Sequence, residues 1–113
     1  MALQKEIELE NGVILNYHRI TNLSKITNIS NLIEVSSYIS EAQRKKEKAY
    51  QDLQKKSANH EPLSTEEQMK LEKGMNVLVN SDYITLNYDE EMTIEDAYNY
   101  LKRTEKFKNA ELI

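Results

Sequence analysis

The chain has 113 residues, a length typical of one domain, and we interpret residues 1–113 as a single domain. It contains no cysteine, which excludes disulfides and thiol chemistry, and its two glycines are too few for a glycine-rich phosphate-binding loop. The net charge of −4 is unevenly distributed, with basic residues concentrated in residues 41–60 and acidic residues in residues 81–113. No stretch is long and apolar enough to predict membrane insertion.

The first forty residues show the patterns of three β-strands. Apolar and polar side chains alternate over residues 3–9, which predicts a half-buried strand. Asn11-Gly12 follows, a dipeptide typical of a two-residue hairpin turn. Residues 13–23 are apolar on both faces and predict a central strand. Residues 29–40 predict a third strand, with Ile33, Val35 and Ile39 on one face and Leu32 and Tyr38 on the other.

The two histidines are the candidates for imidazole chemistry. His18 lies on the same predicted strand face as Ile14 and Ile20, so we expect a hydrogen-bonded histidine in the core or at its edge, in place of a ligand or a base. His60 lies between two predicted helices, where we expect it to be solvated. With no cysteine and no His-x-x-x-His spacing, the sequence predicts no zinc site and no cofactor.

Residues 41–75 predict a charged helical hairpin inserted between the third and fourth strands. The segment EAQRKKEKAYQDLQKKS contains good helix formers throughout, and its apolar positions form a thin stripe. Ser64 and Glu67 then form a capping box for a second helix that ends near Gly74. The stripe of the first helix is expected to face apolar residues that follow the capping box; the two sets are Ala42, Ala49, Tyr50 and Leu53, and Met69, Leu71 and Met75.

The basic residues of the first helix allow two interpretations. Six of them could follow a phosphate backbone: Arg44, Lys45, Lys46, Lys48, Lys55 and Lys56. They could equally form a solvated helix face, because acidic residues are interspersed among them: Glu41, Glu47 and Asp52. The segment has one aromatic residue, and the whole chain is acidic. The sequence therefore favours the solvated face over nucleic-acid binding.

The last third of the chain predicts a fourth strand and a closing helix. Apolar residues alternate over residues 81–88, and Thr93 with Asp96 forms the capping box of a helix. One apolar face of this helix is expected to cover the sheet, with Tyr100 pointing away from it; that face consists of Ile94, Ala97, Tyr98 and Leu101. The remaining tail is expected to be nearly extended. The predicted fold class is α+β, with a small antiparallel sheet of about four strands, this helix packed on it and the inserted helical hairpin.

Acidic residues precede the closing helix at Asp89, Glu90 and Glu91. They could bind a divalent cation, but the spacing lacks the alternating ligands and the glycine of a calcium loop. An acidic approach to a helix N-terminus accounts for them without a metal. No nucleophile has a base at a recognisable spacing, so we expect no enzymatic activity.

The strand order and the segments IEVSSYIS and YITLNYDEEMTIEDAYNYLKRTEKFKNAELI resemble small tail and baseplate-associated structural proteins of siphophages that infect Gram-positive bacteria. The resemblance covers residues 83–113 more closely than residues 3–40 and does not clearly include residues 41–80. It implies a fold related to a domain of phage receptor-binding proteins. The matching residues, to which it assigns a structural role, are Ala97, Tyr98, Tyr100, Leu101, Lys102, Phe107 and Ala110.

The function implied by this resemblance is a structural or adaptor component of a phage tail tip or baseplate. Such a protein is made in the host cytoplasm and incorporated into the virion. Its partners would be other tail or baseplate proteins or further copies of itself. An alternative from another class is a small phage-encoded regulator that binds a host protein or nucleic acid through the basic helix of residues 41–57.

Overall fold

A computed structural model describes all residues from 1 to 113 and shows an α+β fold with one five-stranded antiparallel sheet. The elements are β1 (Leu3–Glu8), β2 (Ile14–Ile26), β3 (Ser30–Tyr38), α1 (Glu41–Ala58), α2 (Thr65–Lys73), β4 (Val79–Asn87), α3 (Ile94–Arg103) and β5 (Glu111–Leu112). The strands are arranged in the order β4-β3-β2-β1-β5, so β2 and β3 lie inside the sheet and β4 and β5 form its edges.

Helix α3 closes the core over one face of the sheet. Its predicted capping box is present, with Thr93 Oγ1 accepting from Asp96 N–H and Asp96 accepting from Thr93 N–H. Apolar side chains from α3, the central strands and the C-terminal turn form one buried cluster: Leu3, Ile20, Ile33, Val35, Ala97, Tyr98, Leu101, Phe107 and Ala110. The predicted packing of the closing helix on the sheet is confirmed.

Tyr98 links three distant parts of the chain inside this core. Its hydroxyl accepts a hydrogen bond from Ile20 N–H at 2.9 Å and donates one to the Met1 carbonyl at 2.9 Å. The ring is 2% exposed. The phenol therefore satisfies a buried backbone donor of β2 while holding the N-terminus beside α3, and its loss would leave that donor unpaired.

The C-terminal tail differs from the expected extended segment. A turn containing Asn109, whose φ of 67° lies in the left-handed region, reverses the chain after α3. Residues 111–112 then pair with β1 as a fifth strand. Ala2 and Ile113 exchange two backbone hydrogen bonds at 2.8 and 2.9 Å, so both ends of the chain lie at the same sheet edge. The predicted α+β class with a small antiparallel sheet is confirmed, and the sheet has five strands where about four were predicted.

Three isoleucines are more exposed than the sequence pattern predicts. Ile94 is 46% exposed because it occupies the first turn of α3, at the end of the predicted apolar face. Ile14 is 43% exposed at the turn end of β2, and Ile39 is 46% exposed because β3 ends one residue earlier. The same helix packs Tyr100 against the core cluster as a partly buried residue, so the expectation that it points away was wrong.

The β1–β2 turn is also longer than predicted. Leu9 N–H donates to the Val13 carbonyl and Gly12 N–H donates to the Leu9 carbonyl, which gives a three-residue loop of residues 10–12 in place of the two-residue Asn-Gly turn. Gly12 has a φ of 85°, the conformation that such a loop requires at its last position. The Asn11 side chain accepts from Val13 N–H at 3.1 Å and stabilises the turn.

His18 is a hydrogen-bonded core histidine, as predicted. Its Nε2 lies 2.8 Å from the Lys5 carbonyl, which can only accept, so Nε2 carries the proton and donates. In the neutral ring Nδ1 then accepts from the Ser37 hydroxyl at 2.7 Å. Phe107 packs against the ring edge-to-face, with centroids 5.2 Å apart. Burial lowers the pKa of His18 below its ordinary value of 6.5, and the charges of Lys106 and Lys5 lower it further, against the opposing effect of the Lys5 hydrogen bond.

This lowered pKa predicts a loss of stability in mild acid. As the pH falls through 6.5, His18 becomes protonated in the unfolded chain but stays neutral in the folded chain. Because the unfolded state then binds more protons, the free energy of unfolding decreases as the pH falls. Urea unfolding at several pH values between 7.5 and 5 measures this change in the free energy of unfolding. A His18→Gln variant should lose this dependence and a His60→Gln variant should keep it. An unchanged pH profile in His18→Gln would contradict the assignment.

The molecule is elongated for its length. The radius of gyration is 16.6 Å and the principal extents are 48 × 36 × 23 Å, whereas a compact domain of about 100 residues has a radius near 13 Å. None of the helices has the length and apolar character required to cross a bilayer.

Candidate functional site

The candidate site is the helical segment of residues 41–75, here called the arm. Helix α1 begins after Ser40, whose Oγ accepts from Gln43 N–H, and ends at Asn59. Glu41 lies in its first turn and Lys55 and Lys56 in its last turn, which matches the helix dipole at both ends. Local sequence thus specifies α1 strongly, although it contributes little apolar surface.

Helix α2 returns along α1 and completes the arm. Its predicted capping box is present: Ser64 Oγ accepts from Glu67 N–H, and the Glu67 carboxylate accepts from Ser64 N–H, each at 3.1 Å. These bonds lower the pKa of Glu67, and an ion pair from Lys56 at 3.2 Å adds to the effect and joins the two helices. Gly74, with a φ of 82°, ends α2 near the predicted position.

Glu47 anchors the arm to the sheet. It is the only buried residue of α1, at 6% exposure, and α2 has none. Its Oε1 accepts from the hydroxyl of Tyr38 on β3 at 2.7 Å and from Arg44 Nη1 at 2.7 Å. Arg19 of β2 lies 3.7 Å from the same oxygen and donates to the Tyr38 hydroxyl at 3.3 Å. One carboxylate therefore joins α1 to both central strands.

The electrostatics of this anchor favour a fixed geometry. Burial raises the pKa of Tyr38, and its hydrogen bond to Glu47 raises it further, so the phenol stays protonated and donates. No buried side-chain nitrogen or oxygen lacks a partner. A fully satisfied buried polar network specifies one arrangement of its members more than it adds stability. The Glu47 anchor accordingly joins the base of the arm to the sheet with every buried polar side-chain atom paired.

Near its base the arm carries an apolar groove of about 380 Å³. Tyr50 and Leu53 of α1 line this groove together with Met75 and Val77 after α2. Three lysines also line it: Lys46, Lys70 and Lys73. The predicted contacts of the apolar stripe are only partly correct, because Met69 is 64% exposed on the outer side of α2 and Met75 is 40% exposed in the groove. Ala42 and Ala49 are also exposed.

Most of the basic residues of α1 share one helix face, but an acidic residue lies among them and two of them form ion pairs. Arg44 donates to Glu47 and Gln51, and Lys56 pairs with Glu67. Lys46 lies at the groove, on a different helix face from Lys45, Lys48 and Lys55, which share their face with Asp52. The lysines of this face outside those ion pairs, Lys45, Lys48 and Lys55, therefore lie beside a carboxylate, which weakens the attraction of this face for a phosphate backbone.

The C-terminal motif residues lie mainly inside the fold. Ala97, Tyr98 and Leu101 of α3, with Phe107 and Ala110 of the following turn, are each at most 5% exposed and belong to the core cluster. Tyr100 is partly buried, with Arg103 over its ring, and Lys102 is exposed. Most of the motif closes the core, and among its seven residues Lys102 alone is fully available to a partner.

The acidic residues before α3 form a turn pinned to β3. The buried Asn31 side chain donates to the Asp89 carbonyl at 2.9 Å and accepts from Asp89 N–H at 3.1 Å, and Asp89 in turn accepts from Glu91 N–H. Lys25 donates to the Glu90 carbonyl. The turn thus leads into the helix N-terminus, as the sequence indicated, and no group of acidic or histidine side chains in the structure is arranged to hold a metal ion.

No protein-family model matches this chain, and no curated protein or solved structure is detectably similar to it.

Sequence reasoning missed the Glu47 anchor. Glu47 was interpreted as one of several acidic residues on a solvated face, because nothing in α1 alone distinguishes it from Glu41 or Asp52. Two signals were present: Arg44 three residues earlier, and the aromatic Tyr38 two residues before the helix cap. Their meaning depends on the sheet register that places Arg19 beside Tyr38, which is a non-local contact.

Proposed function

We propose that this chain is a structural or adaptor component of a phage tail tip or baseplate and that it acts through protein–protein contacts made by the arm. The observation that carries the proposal is the Glu47 anchor, which joins a largely solvent-exposed helical hairpin to the sheet. The resemblance of residues 83–113 to siphophage tail proteins supports the choice of assembly.

The groove of the arm suggests the chemistry of the partner. The apolar lining residues Tyr50, Leu53 and Val77 suit an apolar side chain, and the lining lysines suit carboxylates beside it; these are Lys46, Lys70 and Lys73. The complementary partner is a segment of a neighbouring tail protein that presents an apolar residue flanked by Asp or Glu. Contacts of this kind position subunits without any catalytic group.

The experiment is quantitative mass spectrometry of purified phage particles from cells in which the gene is expressed during infection. A structural component should be present at a constant ratio to the other tail proteins after repeated purification. A regulator should remain in the infected-cell lysate. Absence of the chain from particles that are otherwise complete would contradict the proposal.

A further inference from the structure

The outer edge of the sheet at β4 is unprotected. All nine residues of β4 pair with β3 in a continuous register from Ser30–Asn87 to Tyr38–Val79, without the irregularities of the β1–β2 and β2–β3 pairings. The other side of β4 has no neighbouring strand, so half of its backbone donors and acceptors face outward. Such a row of groups is a template for pairing with another strand.

The usual devices that prevent edge pairing are missing from β4. The strand VNSDYITLN contains no proline, lysine or arginine, and it has no bulge. Its one charge, Asp82, is paired with Lys106. The opposite edge of the sheet differs, because β5 is only two residues long. The β5 edge is therefore short and the β4 edge long. The β4 edge also exposes an aromatic residue, Tyr83, which is 63% exposed.

We infer that β4 is an interface between two copies of this chain, with the two strands paired antiparallel about Tyr83. Tyr83 is the midpoint of Val79–Asn87, so this register alone pairs all nine residues of both strands. It places Tyr83 beside its symmetry mate and Ser81 opposite Thr85, while Asp82 lies opposite Ile84 and away from the other Asp82. Aromatic cross-strand pairs stabilise a sheet, and opposed like charges are avoided.

A second copy fits this edge because the strand is self-complementary about its centre, with hydroxyl residues on either side of the tyrosine on one face. The resulting ten-stranded sheet is closed by two-fold symmetry and leaves no further β4 edge for growth. Each arm enters β4 at the Val79 end, and antiparallel pairing puts those ends on opposite sides of the dimer. Both arms therefore stay free, and the dimer presents two docking arms.

Sedimentation velocity of the full chain over a range of concentrations tests the interface. The wild type and an Asn22→Lys control, which places lysine at an exposed position of the central strand β2, should sediment as dimers. A Tyr83→Lys variant should lose the dimer while keeping the circular dichroism spectrum of the parent. A wild-type monomer at every concentration, or a dimer that persists in Tyr83→Lys, would overturn the inference.

Cross-linking tests the register, since the chain has no cysteine of its own. Opposed residues in an antiparallel pair have Cα atoms about 4.5–5.5 Å apart, a separation that a disulfide spans. A Tyr83→Cys variant should form a covalent dimer under mild oxidation. An Asn87→Cys variant should not, because its symmetry mate lies at the far end of the paired strands. Cross-linking by Asn87→Cys alone would overturn the antiparallel pairing about Tyr83.

Discussion

Replacing Leu101 by alanine is expected to lower the free energy of unfolding by about 2–4 kcal/mol. Leu101 is completely buried in the cluster formed by α3 and the sheet, so the substitution leaves a cavity that the central strands cannot readily fill. Domains of this size are stable by roughly 5–15 kcal/mol, so the expected loss is a large fraction of the total. Urea or thermal unfolding monitored by circular dichroism measures it.

Ile94→Ala in the same helix is the matched control. Ile94 is 46% exposed, so its truncation leaves no buried cavity, and alanine is a better helix former than isoleucine. We therefore expect the free energy of unfolding to change by less than about 1 kcal/mol. Comparing Leu101→Ala with Ile94→Ala separates the effect of lost core packing from any effect on helix formation. Equal destabilisation by both substitutions would show that the buried face of α3 has been assigned wrongly.

Replacing residues 44–73 by a short Gly-Ser connector is expected to leave the sheet and α3 folded while removing the docking surface. None of the arm residues belongs to the core cluster, and closing a loop of either length costs similar entropy. Removal of Glu47 leaves Tyr38 and Arg19 at a surface that water can reach, so no buried charge remains unpaired. The β4 dimer should persist, because its interface lies outside the arm.

The dispersion of amide and methyl signals in NMR spectra of the connector variant measures this outcome. Signals from the core residues should stay near their positions in the parent chain. A Glu47→Gln variant is the milder control, since it keeps the helices and the Tyr38 hydrogen bond while removing the charge that faces Arg19 and Arg44. Unfolding of the connector variant would show that the arm is part of the core.

Sequence patterns predicted the elements whose signals are local. The alternation in β4 matches the alternating half-buried and exposed residues found in the structure, and the capping boxes at Ser64 and Thr93 marked two helix starts correctly. Each of these signals depends on residues within one turn or one strand. Their success reflects agreement between local preference and the final fold.

The features that were missed depend on contacts between distant residues. Strand β5 is two residues long, too short for any periodic signal, and it exists because Asn109 reverses the chain toward β1 and Ala2. The Glu47 anchor likewise requires Tyr38 and Arg19 to meet across the β2–β3 register. The exposure of Ile94 follows from where α3 begins relative to the sheet. Such contacts are set by the assembled sheet, and a strand or helix examined alone does not contain them.

The most direct test of the proposed role is the incorporation of the chain into phage particles with and without its arm. The wild type and the connector variant, carrying different peptide tags, are expressed together during infection, and both are quantified by mass spectrometry in purified particles. Because mixed dimers would carry the variant into particles, both chains also carry Tyr83→Lys. The wild-type arm should then be retained in particles and the connector variant strongly depleted relative to the lysate. Equal amounts of the two chains in particles would contradict docking through the arm.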